Sequence, residues 1–92
     1  MGIAKDSIES LKLKAKISDF ILSSTTGKLR GNKGMAICPF HGEKTASMSF
    51  TDEENLFHCF GCKEGGDIFK YVQSINNIEF QESVEMVAEK YS

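Results

Sequence analysis

A single proline, no low-complexity run and no apolar stretch approaching the ~20 residues that cross a bilayer set the first limits on this 92-residue sequence. The scarcity of proline, beside 40% hydrophobic and 26% charged residues, excludes an intrinsically disordered chain. The missing apolar run excludes a membrane-spanning helix. Met1 to Leu11 alternates charges with aliphatics and lacks the basic start and apolar middle of a signal peptide, so the cytoplasm is the expected compartment and no membrane partner is expected. Cysteine is scarce as well, and its three copies cannot all pair as disulfides within one chain. One domain of this size hides a limited share of its apolar surface, so a bound metal would help to hold it together.

The two halves differ in the sign of their excess charge. Residues 1–50 carry eight Lys or Arg against four Asp or Glu, whereas residues 51–92 carry three against nine, for a formal total of −2. This balance argues against a strong nonspecific grip on nucleic acid and leaves the first half as the side that can meet phosphates.

Periodicity and turn residues predict an α+β fold in which a zinc ribbon, a small antiparallel sheet, is flanked by short helices. The whole chain reads as one domain, with a helical segment over 1–26, the ribbon over 27–64 and C-terminal helices over 65–92. Asp6-Ser7-Ile8-Glu9 starts a helix with Ile8, Leu11 and Ala15 at helical spacing. Ser18 is expected to cap a second helix, whose Phe20, Ile21 and Leu22 face one core with Leu13 and Ile17. Gly31-Asn32-Lys33-Gly34 separates strands Lys28 to Arg30 and Met35 to Ile37. Asp52-Glu53-Glu54-Asn55 separates strands Ser47 to Thr51 and Leu56 to His58. After Gly65-Gly66, Asp67 caps a helix that Asn76-Asn77 ends, and Phe80, Val84, Val87, Ala88 and Tyr91 line another that continues to the end of the sequence, as in a fragment of a longer protein.

The two hairpins each deliver a metal knuckle. Cys38-Pro39-Phe40-His41 and Cys59-Phe60-Gly61-Cys62 each put two ligands at C-x₂-ligand spacing, and a tight turn can aim both at one ion. Three thiolates and one imidazole, from Cys38, His41, Cys59 and Cys62, match a closed tetrahedral site for one structural Zn²⁺, with no position left for water or substrate. Glycines at 42, 61 and 65 are expected to serve the turns and leave backbone N–H groups free for the sulfurs. A redox pair of Cys59 and Cys62 is the competing reading, but it leaves the Cys-Pro-Phe-His run without a role. His58, beside Cys59 in an extended strand, points away from it, toward the surface or DNA.

The words CPFHGEKTASMSF, FHCFGCKEGGDIFKYV and FQESVEMVAEKY resemble the N-terminal zinc-binding domain of bacterial and phage DnaG-type DNA primases, over nearly the whole chain. Ala46, Met48 and the acidic turn Asp52 to Asn55 depart from the family's usual Pro, Phe and Lys. The resemblance implies a zinc ribbon with the four ligands above that helps to recognise a short sequence on a single-stranded DNA template. A separate polymerase domain, in cis or in trans, would join the ribonucleotides of the primer. It also singles out Lys44, in the Glu-Lys-Thr segment, as a DNA contact.

Independently of the resemblance, a ribbon face with Arg30, Lys33 and Lys44 near Phe50 and Phe57 has the composition for single strands, since cations meet phosphates and aromatic faces stack bases. Phe40, Phe60, Phe69 and Phe80 are expected to pack in the core, and Lys12, Lys14 and Lys16 to face solvent. No catalytic site is expected in these residues. His41-Gly42-Glu43 with Cys59-x-x-Cys62 echoes zinc deaminases, but position 58 is His where Pro is expected and Cys38 closes the water site. A stand-alone adaptor that docks a helicase or polymerase domain is the alternative function, through the acidic C-terminal half.

Overall fold

A computed structural model describes residues 5–40 and 46–91. Helices α1 (Lys5–Lys14) and α2 (Ile17–Ser24) precede strands β1 (Gly27–Arg30), β2 (Lys33–Ile37), β3 (Ala46–Thr51), β4 (Leu56–Cys59) and β5 (Gly65–Asp67). Helices α3 (Ile68–Asn76) and α4 (Phe80–Tyr91) complete the chain. The strands form one antiparallel meander in the order β1-β2-β3-β4-β5.

The first turn is tighter than the sequence suggested. Gly31 takes φ of 64° and supplies the left-handed residue of a two-residue turn, so Lys33 and Gly34 join β2, where Arg30 pairs with Lys33. Gly34 must be glycine for another reason, because a Cβ there would strike the Phe50 ring and the Lys28 carbonyl. The fifth strand falls where the sequence suggested a lead into the helix: Gly65 and Gly66 pair with His58 and Phe57. Gly66 does so at φ of 153°, which other residues rarely adopt.

One sheet face carries Ala36, Met48, Phe50, Phe57 and Cys59, all buried, against Ile17 and Ile21 of α2, Ile68, Phe69, Tyr71 and Val72 of α3, and Val84 and Val87 of α4. Each such aliphatic or aromatic side chain contributes about 1.5–3 kcal/mol by leaving water. Leu13 and Leu22 lie outside this core, 89% and 40% exposed. The inward stripes run through Leu11 and Ala15 and through Ile17 and Ile21, so Leu13 and Leu22 fall on other sides of their helices.

Asp67 and Asn77 behave as their residue types predict. The Asp67 carboxylate accepts the Lys70 N–H at 2.9 Å, and Asn77 ends α3 in the left-handed conformation, φ 54°. Ser18 does not cap α2. The cap position is Lys16, with no side-chain cap of its own, and the helix start is satisfied from a distance. Asp52 accepts the Ser18 N–H at 2.8 Å and the Ser18 hydroxyl at 2.6 Å, and Asn55 Oδ1 accepts the Ile17 N–H at 2.9 Å. The acidic turn between β3 and β4 therefore serves as the cap of α2.

Tyr91 closes the same helix start from α4. Its hydroxyl accepts the Lys16 N–H at 3.1 Å and donates to Asp19 Oδ2 at 2.6 Å. Burial first, then the Asp19 carboxylate, push this phenol up to about 12. A folded-state value above the ordinary value of about 10 stabilises the fold fully below that pH, and the contribution disappears as pH rises through about 12. Tyr91→Phe is expected to lower stability at neutral pH, with the gap to the parent closing between about pH 10 and 12. Urea unfolding across that range tests it, and a gap that does not depend on pH would reject the assignment.

Candidate metal centre and sheet face

Cys38 follows β2, Cys59 ends β4 and Cys62 lies in the turn between β4 and β5. Their sulfurs all lie within 4.8 Å of one another, with Cys38 Sγ and Cys62 Sγ 3.7 Å apart. Zinc–sulfur bonds of about 2.3 Å at tetrahedral angles place ligand sulfurs about 3.8 Å apart, whereas a disulfide needs about 2.05 Å. No disulfide joins any two of the three cysteines, and the convergence of all three sulfurs fits the metal reading, which gives Cys38 a part that a Cys59–Cys62 redox pair would not.

Local backbone shapes the site. Lys63 N–H bonds the Cys59 carbonyl at 2.9 Å, Cys59 N–H bonds the Glu64 carbonyl at 2.7 Å, and Lys63 takes φ of 66°. The left-handed residue of this knuckle is therefore Lys63; neither Gly61 nor Gly65 has a positive φ. Burial raises the Cys38 thiol to about 12, against the Phe40 N–H, which lowers it. Burial also acts upward on Cys59, but the Cys62 N–H, the Ser47 hydroxyl, the Cys38 thiol and the Gly61 N–H outweigh it and bring Cys59 to about 6. Backbone N–H groups aimed at sulfur are what a thiolate-bound cation requires from its surroundings. His41 and Lys44 lie outside the described residues.

The opposite sheet face carries no helix-facing core residue. Strand alternation and register place Lys28 and Arg30 of β1, Lys33 and Met35 of β2, Ser49 and Thr51 of β3, and Leu56 and His58 of β4 on it. Lys28, Arg30, Lys33 and Met35 are exposed, as are Leu56 and His58, and a groove runs across them. Arg30 and Lys33 are cross-strand neighbours on this face.

Phe50 and Phe57 are a correction. They pair with each other on the core face, 4% and 3% exposed, and Phe57 meets Tyr71 edge-on at 5.2 Å, so their rings are not free to stack a base. Phe60, expected in the core, is 58% exposed and contacts His58 in a T-shaped arrangement at 4.9 Å. Phe80 is also exposed, although it touches Phe69 at 5.6 Å. The alternation that turns His58 outward from Cys59 also turns Phe57 inward, a signal present in the sequence. Lys28 joins the face without having been expected there, although it precedes Arg30 by two residues and so shares its side of the strand.

Residues 3–92 match the CHC2 zinc finger family of the DnaG zinc ribbon. The chain belongs to the CHC2 zinc finger family. This CHC2 domain is 41% identical over 86 residues to a DNA primase of Campylobacter jejuni, covering 94% of the chain and 14% of that primase. It is 36% identical over 90 residues to a DNA primase of Staphylococcus epidermidis, covering 98% of the chain and 15% of that protein. Its fold is similar to the crystal structure of the Aquifex aeolicus primase, zinc binding and RNA polymerase domains, with a TM-score of 0.80 and 30% identity over 92% of this chain and 21% of that one. The CHC2 domain is thus a zinc-binding domain of the DnaG primase type and spans only about a seventh of these curated relatives' length. Among the described residues, no helix is long and apolar enough to cross a membrane.

Proposed function

We propose that this CHC2 domain recognises single-stranded DNA template for a DnaG-type primase, supporting RNA primer synthesis by a polymerase domain supplied in cis or in trans. The observation that carries the reading is the helix-free sheet face, where Lys28, Arg30 and Lys33 stand beside the exposed Met35, Leu56, His58 and Phe60. Cations there meet phosphates, and the His58–Phe60 pair offers the aromatic surface that Phe50 and Phe57 cannot. One zinc, held by Cys38, Cys59, Cys62 and His41, organises the knuckles beneath this face and takes no part in chemistry. The primase relatives support the reading, as does the Aquifex structure, which joins zinc-binding and RNA polymerase domains. Contact with the replicative helicase, as a further partner, belongs to the same proposal through the acidic C-terminal half, which suits a basic protein surface.

For a single strand, each phosphate that a protein no longer neutralises flattens the slope of log affinity against log salt by about 0.7. Arg30→Ala with Lys33→Ala is therefore expected to weaken binding of short single-stranded DNA roughly tenfold at low salt and to reduce that slope by about 1.4. Fluorescence anisotropy of the zinc-loaded chain tests it. Unchanged affinity and slope would move the DNA site off this face.

A further inference from the structure

The groove across the sheet face is lined by three cations and by one carboxylate, Glu54. Its neighbours in the β3–β4 turn have other work: Asp52 accepts from Ser18, Glu53 Oε2 accepts from the Asn32 amide at 3.1 Å, and Asn55 bonds α1 and α2. Glu54 is exposed, and among the described residues no hydrogen bond or ion pair occupies it. The turn that carries it is pinned, because Asn55 holds φ of 52° through bonds to the Ile17 N–H and to the Lys12 and Ala15 carbonyls. A functional group on such a turn is preorganised.

A carboxylate beside a polyanion repels it unless the strand offers N–H donors in return. Phosphates and deoxyribose within a strand offer none, so the donors must come from bases. Unpaired bases expose their Watson–Crick edges. On that edge cytosine and adenine place one amino group beside a ring-nitrogen acceptor, and thymine places one N–H between two carbonyls. Guanine alone places two donors side by side, N1–H and N2–H, matching the two oxygens of a carboxylate.

We propose that Glu54 is a specificity-determining residue that selects an unpaired guanine in the bound strand by accepting N1–H and N2–H with its two carboxylate oxygens. This rests on the reading that single-stranded DNA lies on the sheet face. Lys28, Arg30 and Lys33 hold the phosphates whatever the sequence, and Glu54 contributes discrimination in place of affinity.

The test is anisotropy of the zinc-loaded chain with thymidine oligomers bearing one central guanine, hypoxanthine, adenine or cytosine. Hypoxanthine removes only the N2 amino group. The guanine oligomer is expected to bind roughly tenfold more tightly than the hypoxanthine one. Glu54→Gln should shrink that ratio to within about twofold while leaving binding of plain oligothymidine equal or tighter, since a negative charge leaves the groove. Glu53→Gln, which alters a carboxylate engaged with Asn32, should keep the guanine preference. Binding without guanine preference, or a preference that survives in Glu54→Gln, overturns the role of Glu54 and leaves the DNA face standing. No binding to any oligomer overturns the DNA reading and this inference with it.

Discussion

Stripping the metal with a chelator, or replacing Cys59 by Ser, is expected to abolish the cooperative fold of the ribbon. Cys59 has no exposed surface, its sulfur sits in one cluster with Cys38 and Cys62, and Cys38 is equally part of the core. Structural zinc contributes apparent binding free energy on the order of 10 kcal/mol in zinc-finger peptides, against a total stability of about 5–15 kcal/mol for an ordinary domain. Loss of that contribution exceeds what the aromatic and aliphatic packing above the sheet can spare. The metal-free chain would also hold Cys59, brought to about 6, as a thiolate at neutral pH with no cation to meet it. Circular dichroism and thermal melts before and after chelation should show loss of the transition, restored by added zinc. A metal-free chain that melts cooperatively within a few degrees of the loaded one would falsify the structural role.

Asn55→Ala is expected to cost roughly 3–5 kcal/mol in the zinc-loaded protein, as much as truncating a buried aromatic of the core. Asn55 is 3% exposed. Its Oδ1 accepts the Ile17 N–H at 2.9 Å, and its Nδ2 donates to the Lys12 carbonyl at 2.8 Å and to the Ala15 carbonyl at 3.0 Å. Alanine leaves those groups without partners, at about 1–3 kcal/mol for each that stays buried, and adds about 1 kcal/mol for a left-handed residue that asparagine tolerates better. Asn55→Asp keeps the acceptor but sets a carboxylate oxygen against two carbonyls, so it should fail as well, whereas Asn55→Gly escapes only the backbone strain. Urea midpoints rank the three, and a loss below about 1 kcal/mol for Asn55→Ala would show that water replaces the amide.

What could be read from the sequence is what short-range geometry decides. The Cys59–Cys62 spacing announces a metal knuckle, because ligands with two residues between them converge across a tight turn, and Cys38 joins them from the preceding hairpin. Asp67 and Asn77 announce the ends of α3 because caps act within a few residues. The failures are of two kinds. Phe57 and Phe60 exchanged roles because the alternation used for His58 was not carried one residue back to Phe57 and two residues on to Phe60. Asp52 and Asn55 looked like ordinary turn polarity because their partners lie 34 to 43 residues away, which no local pattern records. The acidity of this turn has one structural use, in the Asp52 carboxylate that accepts from Ser18.

That long-range link bears on the order in which the chain matures. The amides of Ile17 and Ser18 find their acceptors only in a turn synthesised 34 to 38 residues later. As the polypeptide leaves the ribosome, α2 must wait with its first turn open until the second hairpin has emerged and closed. The start of α2, though made early, therefore cannot lock into place before the second hairpin does.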